Sequence, residues 1–254
     1  MVLLGTRPRG MTPKFYVLGR ETFLAPVEWV DGWPVVGAHA LEMDHAPPGV
    51  AQRVNDPVRD DFDTASLHPR WLTIRVPLDE RASLADRPGW LTLRGGPELE
   101  DCEPVFVGRR QQHFRGRVRA CVEAGTAREA GLTVWMDERL HYDVAVVDGR
   151  VMVRARIGPL VQELASAEPP RSGGTVLAIH IHDDETGQDP DVVTLGFDDE
   201  HGTFTSLASL PGRYLSTEVA AGFTGRVIAM FAVGGTAAFD WFDYEPMHLT
   251  TAVG

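Results

Sequence analysis

The sequence predicts an all-β protein whose main part is an antiparallel β-sandwich or jelly roll. Apolar and polar residues alternate over short segments, which is the period of a strand with one buried face. These segments recur at about 8–12 residues, a spacing typical of sandwiches. Gly, Pro, Asp or Asn occurs in nearly every connection, and these residues favour turns. Only residues 127–130 and 161–167 have the spacing of a helical turn.

Individual strands follow from the alternation. In residues 113–122 the apolar side chains occupy one face and three arginines occupy the other. Residues 142–147 and 151–157 are joined by Asp148-Gly149, a dipeptide that strongly favours a tight hairpin. The other predicted strands are 71–76, 90–94, 132–136, 176–182, 192–197, 226–232 and 238–244.

The composition changes once along the chain, at the stretch 45–58, which contains three prolines and a glycine. Before it, residues 14–37 are rich in aromatic and β-branched residues, with a second hairpin signal at Asp31-Gly32. A segment this short cannot bury a core alone, so it must pack against another part of the protein. The predicted divisions are a first segment at 1–45, a linker at 46–58, the sandwich at 59–246 and a tail at 247–254.

Charge and hydropathy exclude several functions. The 254 residues include 24 Lys and Arg against 36 Asp and Glu, a net charge of -12, which opposes binding to nucleic acid or anionic lipid. No apolar stretch approaches the roughly 20 residues of a membrane span, and the opening MVLL is too short for a signal peptide. We therefore expect no nucleic-acid partner, no membrane partner and a cytoplasmic location. Cys102 and Cys121 lie far apart and are expected to be buried thiols.

Several motifs occur in a characteristic order. They are LGTRPRG at 4–10, LGRETFLAPVEWVDGWPVV at 18–36, GRRQQHF at 108–114, FTG at 223–225 and AFDWFDYEP at 238–246. Together they resemble glycoside hydrolase family 43, of the β-xylosidase type. Residues 1–45 look like the end of the family's five-bladed β-propeller. The remainder resembles the concanavalin A-like β-sandwich that follows the propeller.

The resemblance implies a part in the exo-hydrolysis of xylo-oligosaccharides. Inverting hydrolysis needs two carboxyl groups across the scissile bond with room for a water molecule. In the family these groups lie on earlier propeller blades, and this chain looks like the C-terminal half of such an enzyme. We therefore assign no catalytic residue and expect no turnover from the chain alone. The sandwich is expected to brace the propeller and to shape its pocket.

The expected partners are a xylo-oligosaccharide in the intact enzyme and a β-propeller domain or separately encoded propeller chain. Oligomers of the isolated chain are also expected, because free strand edges are adhesive. The alternative function is a non-catalytic sandwich that binds a carbohydrate or a protein. Trp71, Trp90, Trp135 and Trp241 are its candidate sugar platforms, although their apolar neighbours favour core packing.

Two residues are candidates for substrate binding. The resemblance places Arg20, in the LGRET motif, beside the pocket for the non-reducing xylosyl unit. The fork of guanidinium donors suits sugar hydroxyls, but Arg20 could instead pair with Glu21 on a structural strand. The resemblance also implies an aromatic residue at the pocket rim. Phe223 is the candidate for it, and a core position before a strand is the alternative.

A structural calcium ion is considered at the ends of the sandwich. In the resembled fold the first and last strands often lie side by side, so Asp61 and Asp240 could share a hard cation. Asp240 could equally be an exposed partner on an edge strand, and no other cofactor is expected to be required. His180 and His182 precede an acidic turn, and we favour a solvated strand edge there over a metal site.

Two clusters of polar residues near the centre of the sequence could have a structural or a functional role. Arg115, Arg117 and Arg119 form a basic stripe that we expect to pair with acidic residues on neighbouring strands. The alternative is a grip on an acidic sugar or on an acidic propeller surface. Residues 111–113 look outward in the alternation and are expected at the interface between sandwich and propeller.

Overall fold

Two antiparallel sheets pack against each other and enclose the main hydrophobic core. The computed structural model describes residues 1–37, 58–169 and 173–247. Within these ranges one sheet has six strands and the other has eight. The predicted antiparallel β-sandwich is therefore confirmed.

The strand order in each sheet is as follows. The six-stranded sheet runs through β13 (Leu160–Ala167), β12 (Arg150–Ile157), β11 (Leu140–Val147), β10 (Glu129–Asp137), β17 (Val227–Val233) and β8 (Val105–Arg110). The eight-stranded sheet runs through β16 (Phe204–Pro211), β15 (Val192–Asp198), β14 (Thr175–His182), β9 (Gly116–Glu123), β18 (Thr236–Pro246), β7 (Leu91–Arg94) and β6 (Ala82–Ser83), and β5 (Arg59–Asp60) also pairs with β18.

The remaining described elements are short. In the N-terminal segment, β1 (Val2–Gly5) pairs with β2 (Glu21–Leu24) and β3 (Val27–Val30) pairs with β4 (Trp33–Val36). The helical elements are two 3₁₀ helices, Asp79–Arg81 and Gly212–Leu215, and α1, Thr217–Ala220. No helix in the described ranges is long and apolar enough to cross a membrane.

The sandwich strands begin at Arg59 and end at Pro246. The predicted linker at 46–58 and tail at 247–254 lie almost entirely outside the described residues. The division into domains therefore stays a prediction.

Hairpins form where the sequence predicts them. Asp148 and Gly149 both have positive φ, 49° and 75°, as a two-residue turn of the type favoured between twisted strands requires. They join β11 to β12, and Val147 pairs with Arg150 directly across the turn. Along β12 the side chains alternate between the core and the outer surface.

One predicted strand and both predicted helical turns are wrong. Residues 71–76 pair with a strand only at Leu72, because the segment crosses the outer face of the six-stranded sheet. There Ile74 packs in a second apolar cluster with Leu99 and Phe106. Residues 127–130 close a turn and enter β10, and residues 161–167 belong to β13.

The misreading of β13 has a physical cause. In its pairing with β12, Val153 lies opposite Ala165 and Arg154 opposite Glu163, so Leu164 is an extra residue. A bulge of this kind shifts the alternation by one residue. β13 is also an edge strand with mostly exposed side chains. Its apolar and polar residues therefore do not alternate strictly, and the apolar ones are spaced in the sequence as they would be in a helix.

The two ends of the sandwich lie side by side, as predicted, because β5 pairs with β18. Asp60 secures this junction by accepting hydrogen bonds from Trp71 Nε1 at 2.9 Å, Arg70 Nη2 at 3.0 Å and the Phe62 amide at 3.1 Å. Burial alone would raise the pKa of Asp60, but these hydrogen bonds and the charge of Arg70 outweigh burial and lower it.

We expect Asp60 to make part of the stability of the protein dependent on pH. A carboxyl group with a lowered pKa in the folded state stabilises the fold above its ordinary value, 3.8. That contribution is lost as the pH falls through 3.8 toward the lower folded value. Urea unfolding from about pH 5 to pH 2 should show a smaller loss of stability for Asp60→Asn than for the parent. Asp61→Asn, next to it but exposed, is the matched control, and equal slopes for the parent and Asp60→Asn would contradict the assignment.

Candidate functional site

A short N-terminal segment lies against one end of the sandwich. Phe15, Val17 and Leu18 are buried there. The Val17 carbonyl accepts the Arg226 amide at 3.0 Å, and the Arg20 amide donates to the Phe223 carbonyl at 3.2 Å. Backbone hydrogen bonds therefore hold residues 17–20 beside residues 223–226.

Two glycines allow this close approach. Gly19 and Gly225 both have positive φ, 75° and 71°, a conformation that L side chains disfavour. A Cβ at Gly19 would lie 2.5 Å from the Gly225 amide nitrogen, and a Cβ at Gly225 would overlap the Leu18 carbonyl. The glycines of the two motifs thus let the two backbones touch.

This contact brings the two predicted substrate-binding residues together. The Arg20 guanidinium carbon lies 3.7 Å from the centre of the Phe223 ring, a cation–π distance. Arg20 is exposed and Phe223 is 55% exposed, so Phe223 is not a core residue. Glu21 instead forms a two-point ion pair with Arg7, with N···O distances of 2.6 and 2.8 Å.

Beneath this pair lies a fully buried ion pair that the sequence analysis missed. Arg226 Nη1 and Nη2 donate to the two Asp191 carboxylate oxygens at 2.7 and 2.9 Å, and both side chains are 0% exposed. Arg226 also donates to the Leu215 and Gly212 carbonyls, each at 2.7 Å. Residues 189–191 contain two aspartates and a proline, a composition typical of a solvated turn, but Asp191 is buried. A charged residue placed directly after FTG and before an apolar strand was the available signal.

Gln111 packs beside the same buried ion pair. It is buried, its amide donates to the Arg226 carbonyl at 3.0 Å, and its Nε2 donates to the His113 carbonyl at 2.9 Å. The expectation that residues 111–113 all face outward is therefore wrong at Gln111. Through Arg110 and Gln111, the GRRQQHF motif bonds to the backbone carbonyls of Thr224 and Arg226, next to Phe223.

The pair offers hydrogen-bond donors at an exposed surface. Stacking on Phe223 restricts the Arg20 side chain, and the guanidinium carries donors in a fixed planar fork. Arg110 stabilises the loop that carries Phe223 by donating a hydrogen bond to the Thr224 carbonyl. Such an arrangement can bind sugar hydroxyls or a carboxylate, but it has no group that could act as an acid or a base.

The two predicted calcium ligands lie near the β5–β18 junction among basic residues. Asp61 is exposed and pairs with Arg59 at 2.5 Å. Asp240 is close enough to Cys121 and Arg87 to influence both electrostatically. No three His, Cys, Asp or Glu side chains are grouped for a metal ion in the part of the chain that is described. Calcium binding by Asp61 and Asp240 stays a prediction.

The cysteines differ from each other. Cys121 is buried, and burial together with the charge of Asp240 raises its thiol pKa to about 11. Cys102 is exposed, so the prediction of two buried thiols is wrong for Cys102. Cys102 lies in the loop between β7 and β8. A loop has no alternating pattern from which the burial of a side chain could be predicted.

The basic stripe is paired, as predicted. Arg115 pairs with Asp183, Arg117 with Glu245 at 2.6 Å, and Arg119 with Asp198 and Asp243 at 3.2 and 2.7 Å.

The two histidines of β14 lie in an internal strand, so the strand-edge interpretation is wrong. His180 stacks on Phe204 with ring centres 3.9 Å apart. His182 Nε2 lies 3.1 Å from the Thr194 hydroxyl. The neighbouring strands supply these partners, and the local sequence does not reveal them.

The tryptophans divide into packed and exposed groups. Trp71 is buried against Phe242 and Trp135 packs edge-on against Phe106, so core packing is confirmed for Trp71. Trp29 and Trp33, on the β3–β4 hairpin, are 72% and 76% exposed. The exposed tryptophans therefore lie in the N-terminal segment.

Comparison with known proteins supplies a context for this geometry. The family model of the beta xylosidase C-terminal concanavalin A-like domain matches residues 59–245. The chain is 35% identical over 264 residues to the non-reducing end alpha-L-arabinofuranosidase BoGH43B of Bacteroides ovatus, covering 96% of this chain and 48% of that protein. It is 32% identical to a putative beta-xylosidase of Escherichia coli, covering 96% of this chain and 49% of that protein.

Solved structures agree with these matches. The structure described as Bacteroides ovatus xyloglucan PUL GH43B superposes with a TM-score of 0.82 at 34% identity, over 97% of this chain and 51% of that one. The xylan beta-1,4-xylosidase from Bacillus halodurans C-125 superposes with a TM-score of 0.83 at 27% identity, over 96% and 50%. The chain spans about half the length of the curated relatives it matches.

Proposed function

The chain belongs to glycoside hydrolase family 43 through the concanavalin A-like C-terminal domain, and from this premise we propose that it is the accessory half of a β-xylosidase or α-arabinofuranosidase. The observation that carries the proposal is the junction at which Arg20 and Phe223 stack. The junction presents a guanidinium and an aromatic ring beside each other at the surface. In the intact enzyme these groups border the sugar pocket, and the sandwich braces the β-propeller.

The N-terminal segment supports a propeller partner. Its strands expose Val2, Leu4, Leu24, Trp29 and Trp33 by between 44% and 76%. Exposed apolar side chains concentrated in one short segment suggest an interaction surface. A propeller, as a domain or a separate chain, would cover these side chains and satisfy the strand edges beside them.

A chimera tests the proposed function. The half of the Bacteroides ovatus relative that this chain does not match is joined to the whole of this chain. We expect the chimera to hydrolyse 4-nitrophenyl α-L-arabinofuranoside or xylobiose, and the chain alone to release no sugar above a buffer blank. Sugar release by the chain alone, or a chimera no more active than the relative's half by itself, would contradict the proposal.

Arg20 is expected to contribute directly to kcat/KM in that chimera. Hydrogen bonds to a charged group contribute about 1.5–3 kcal/mol, so Arg20→Ala should lower kcat/KM by about 10- to 100-fold. Arg20→Lys should retain only part of the activity because it lacks the planar fork. Phe223→Ala should cost about fivefold, since a cation–π contact contributes about 1 kcal/mol. Arg150→Ala, on an exposed ion pair of β12, is the control, and an Arg20→Ala value within twofold of the parent would exclude the role.

The exposed Trp29 and Trp33 favour a second candidate, a non-catalytic role in which the chain binds carbohydrate through its N-terminal hairpin. Exposed aromatic rings can stack on sugar rings. Titration of the chain with xylo-oligosaccharides, followed by tryptophan fluorescence, would show saturable binding under this alternative and none under the leading proposal.

Three further expectations stay predictions. A calcium ion between Asp61 and Asp240 would raise the melting temperature in calcium relative to a chelator. Oligomers of the isolated chain would appear in light scattering. The cytoplasmic location would be tested by fractionating cells that produce the protein.

A further inference from the structure

A broad cavity lies beside β6 and β7, and the proposed function does not use it. Its volume is about 950 Å³, within the range of about 300–1,000 Å³ that is usual for small-molecule sites. Three stretches of chain surround it, within residues 62–67, 73–79 and 82–91. None of its lining residues belongs to the Arg20–Phe223 junction, so the cavity is separate from that junction.

The floor of this cavity is apolar and can be reached from solvent. Phe62, Leu78 and Leu91 contribute to it from the buried core. Leu67 and Leu84 also line it, pack against the core and are only partly buried. An apolar group that leaves water for this floor is therefore stabilised by the hydrophobic effect.

The cavity has no aromatic platform for a sugar ring. Among the described residues that line it, Phe62 is the one aromatic residue, and it is 2% exposed. Its ring packs against Trp71, with ring centres 5.9 Å apart. Because a sugar stacks on an exposed ring face, carbohydrate is not the ligand that fits best.

Two exposed carboxylates, those of Asp63 and Asp79, line the cavity above its floor. Neither forms a hydrogen bond or an ion pair within the part of the chain that is described. The described lining residues include no Lys, Arg or His. The two negative charges are therefore uncompensated, and they favour a positively charged ligand.

The hydroxyl groups of the cavity add acceptors and few donors. Thr64 Oγ1 and Thr73 Oγ1 each donate to a backbone carbonyl at 2.8 Å. Ser83 Oγ donates to the Asp86 carboxylate at 2.8 Å. Three of the four lining hydroxyls thus use their proton within the protein. An ammonium group, which has three donors and no acceptor, matches what remains.

The walls of the cavity contain strained backbone. Phe62 and Asp79 have positive φ, 54° and 45°, a region that residues other than glycine rarely adopt. At Phe62 the amide donates to Asp60 at 3.1 Å, which helps to hold this conformation. Strain of this kind concentrates at ligand-binding sites, so it supports a binding role for the loops that carry Asp63 and Asp79.

We propose that this cavity binds a small organic amine. The ammonium group is held by Asp63 and Asp79, and the apolar body lies on Leu67 and Leu84. A metal ion does not fit, because Ca²⁺ takes six to eight oxygen ligands and no three His, Cys, Asp or Glu side chains are grouped for a metal within the described ranges. The site goes beyond the proposed function and does not depend on it.

The test uses the whole chain and three probes that share one body and differ in the head group: phenylpropylamine, phenylpropanol and phenylpropionate. Binding is measured by calorimetry and by the NMR shifts of the Leu67 and Leu84 methyl groups. An exposed ion pair contributes up to about fivefold, so with two carboxylates the amine should bind about tenfold more tightly than the alcohol. The propionate should bind more weakly than either.

Salt provides a second measurement. Raising the ionic strength from about 0.01 M to about 1 M shortens the Debye length from about 30 Å to about 3 Å, and this should remove most of the advantage of the amine over the alcohol. An alcohol that binds as tightly as the amine at low salt would overturn the proposal. Unshifted Leu67 and Leu84 methyl groups at saturating amine would overturn it as well.

Variants locate the ammonium group. Asp63→Asn and Asp79→Asn each remove one charge at an exposed position, where substitutions rarely affect folding. Each should weaken amine binding about threefold to fivefold and leave alcohol binding unchanged. Asp61→Asn is the matched control, because Asp61 is exposed, pairs with Arg59 and does not line the cavity. Amine binding that is the same in the parent and in both cavity variants would exclude these carboxylates as its partners.

Discussion

Arg226→Met is expected to lower the free energy of unfolding by about 3–5 kcal/mol, the usual cost of removing one member of a buried ion pair. The loss follows from what the substitution leaves behind. Asp191 would remain 0% exposed with no cation, and the Gly212 and Leu215 carbonyls would each lose a donor. Urea unfolding of Arg226→Met and of the parent measures the difference.

Two further variants show whether the cost comes from the stranded charge. Arg226→Met combined with Asp191→Leu removes both charges, and we expect it to recover most of the loss, because apolar pairs often replace buried ion pairs well. Arg117→Met, which breaks a partly exposed pair with Glu245, should cost about 1 kcal/mol or less. A single Arg226→Met variant within about 1 kcal/mol of the parent would show that the buried pair is not the anchor of this end of the sandwich.

Gly225→Ala is expected to detach the N-terminal segment from the sandwich at a cost of about 3 kcal/mol, combining a left-handed backbone with a backbone overlap. The added Cβ would overlap the Leu18 carbonyl, and no side-chain rotation can relieve a contact between backbones. Hydrogen exchange at the Arg20 and Arg226 amides, which donate across the junction, should accelerate about 100-fold.

Gly222→Ala provides the control within the same loop. A Cβ at Gly222 would meet nothing within 4 Å, so exchange at the junction should remain as in the parent. In the chimera, Gly225→Ala should also lower kcat/KM, because Arg20 and Phe223 would no longer be held together. Unchanged exchange in Gly225→Ala would mean that the junction tolerates a side chain at this position.

Much of the fold was predictable because strand alternation is a local property. The side chains of β12 point alternately to the core and outward, as the sequence pattern indicates, and Asp148-Gly149 forms the expected turn. Where a bulge at Leu164 interrupts the alternation, the prediction failed. The strand predicted at residues 71–76 was wrong for another reason. An apolar segment that packs on a sheet has the composition of a strand but does not pair with the neighbouring strands.

The candidate site was predictable only in part. The motifs identified Arg20 and Phe223, because the residues that surround each are characteristic of the family. Neither motif indicates that the two side chains stack on each other or that Gly19 and Gly225 are in contact. Asp191 lies in an acidic stretch that looks solvated in sequence, yet it is buried beneath the junction.

The sequence by itself determined the sandwich, its hairpins, the family and the two motifs that carry Arg20 and Phe223. Each of these depends on the order of residues along a short stretch of chain. The tertiary structure alone decided that Arg226 pairs with Asp191, 35 residues earlier, and that Asp63 and Asp79 line one cavity. A charge is stable inside the protein only when the fold brings it a partner, and distant segments supply those partners once the two sheets have packed.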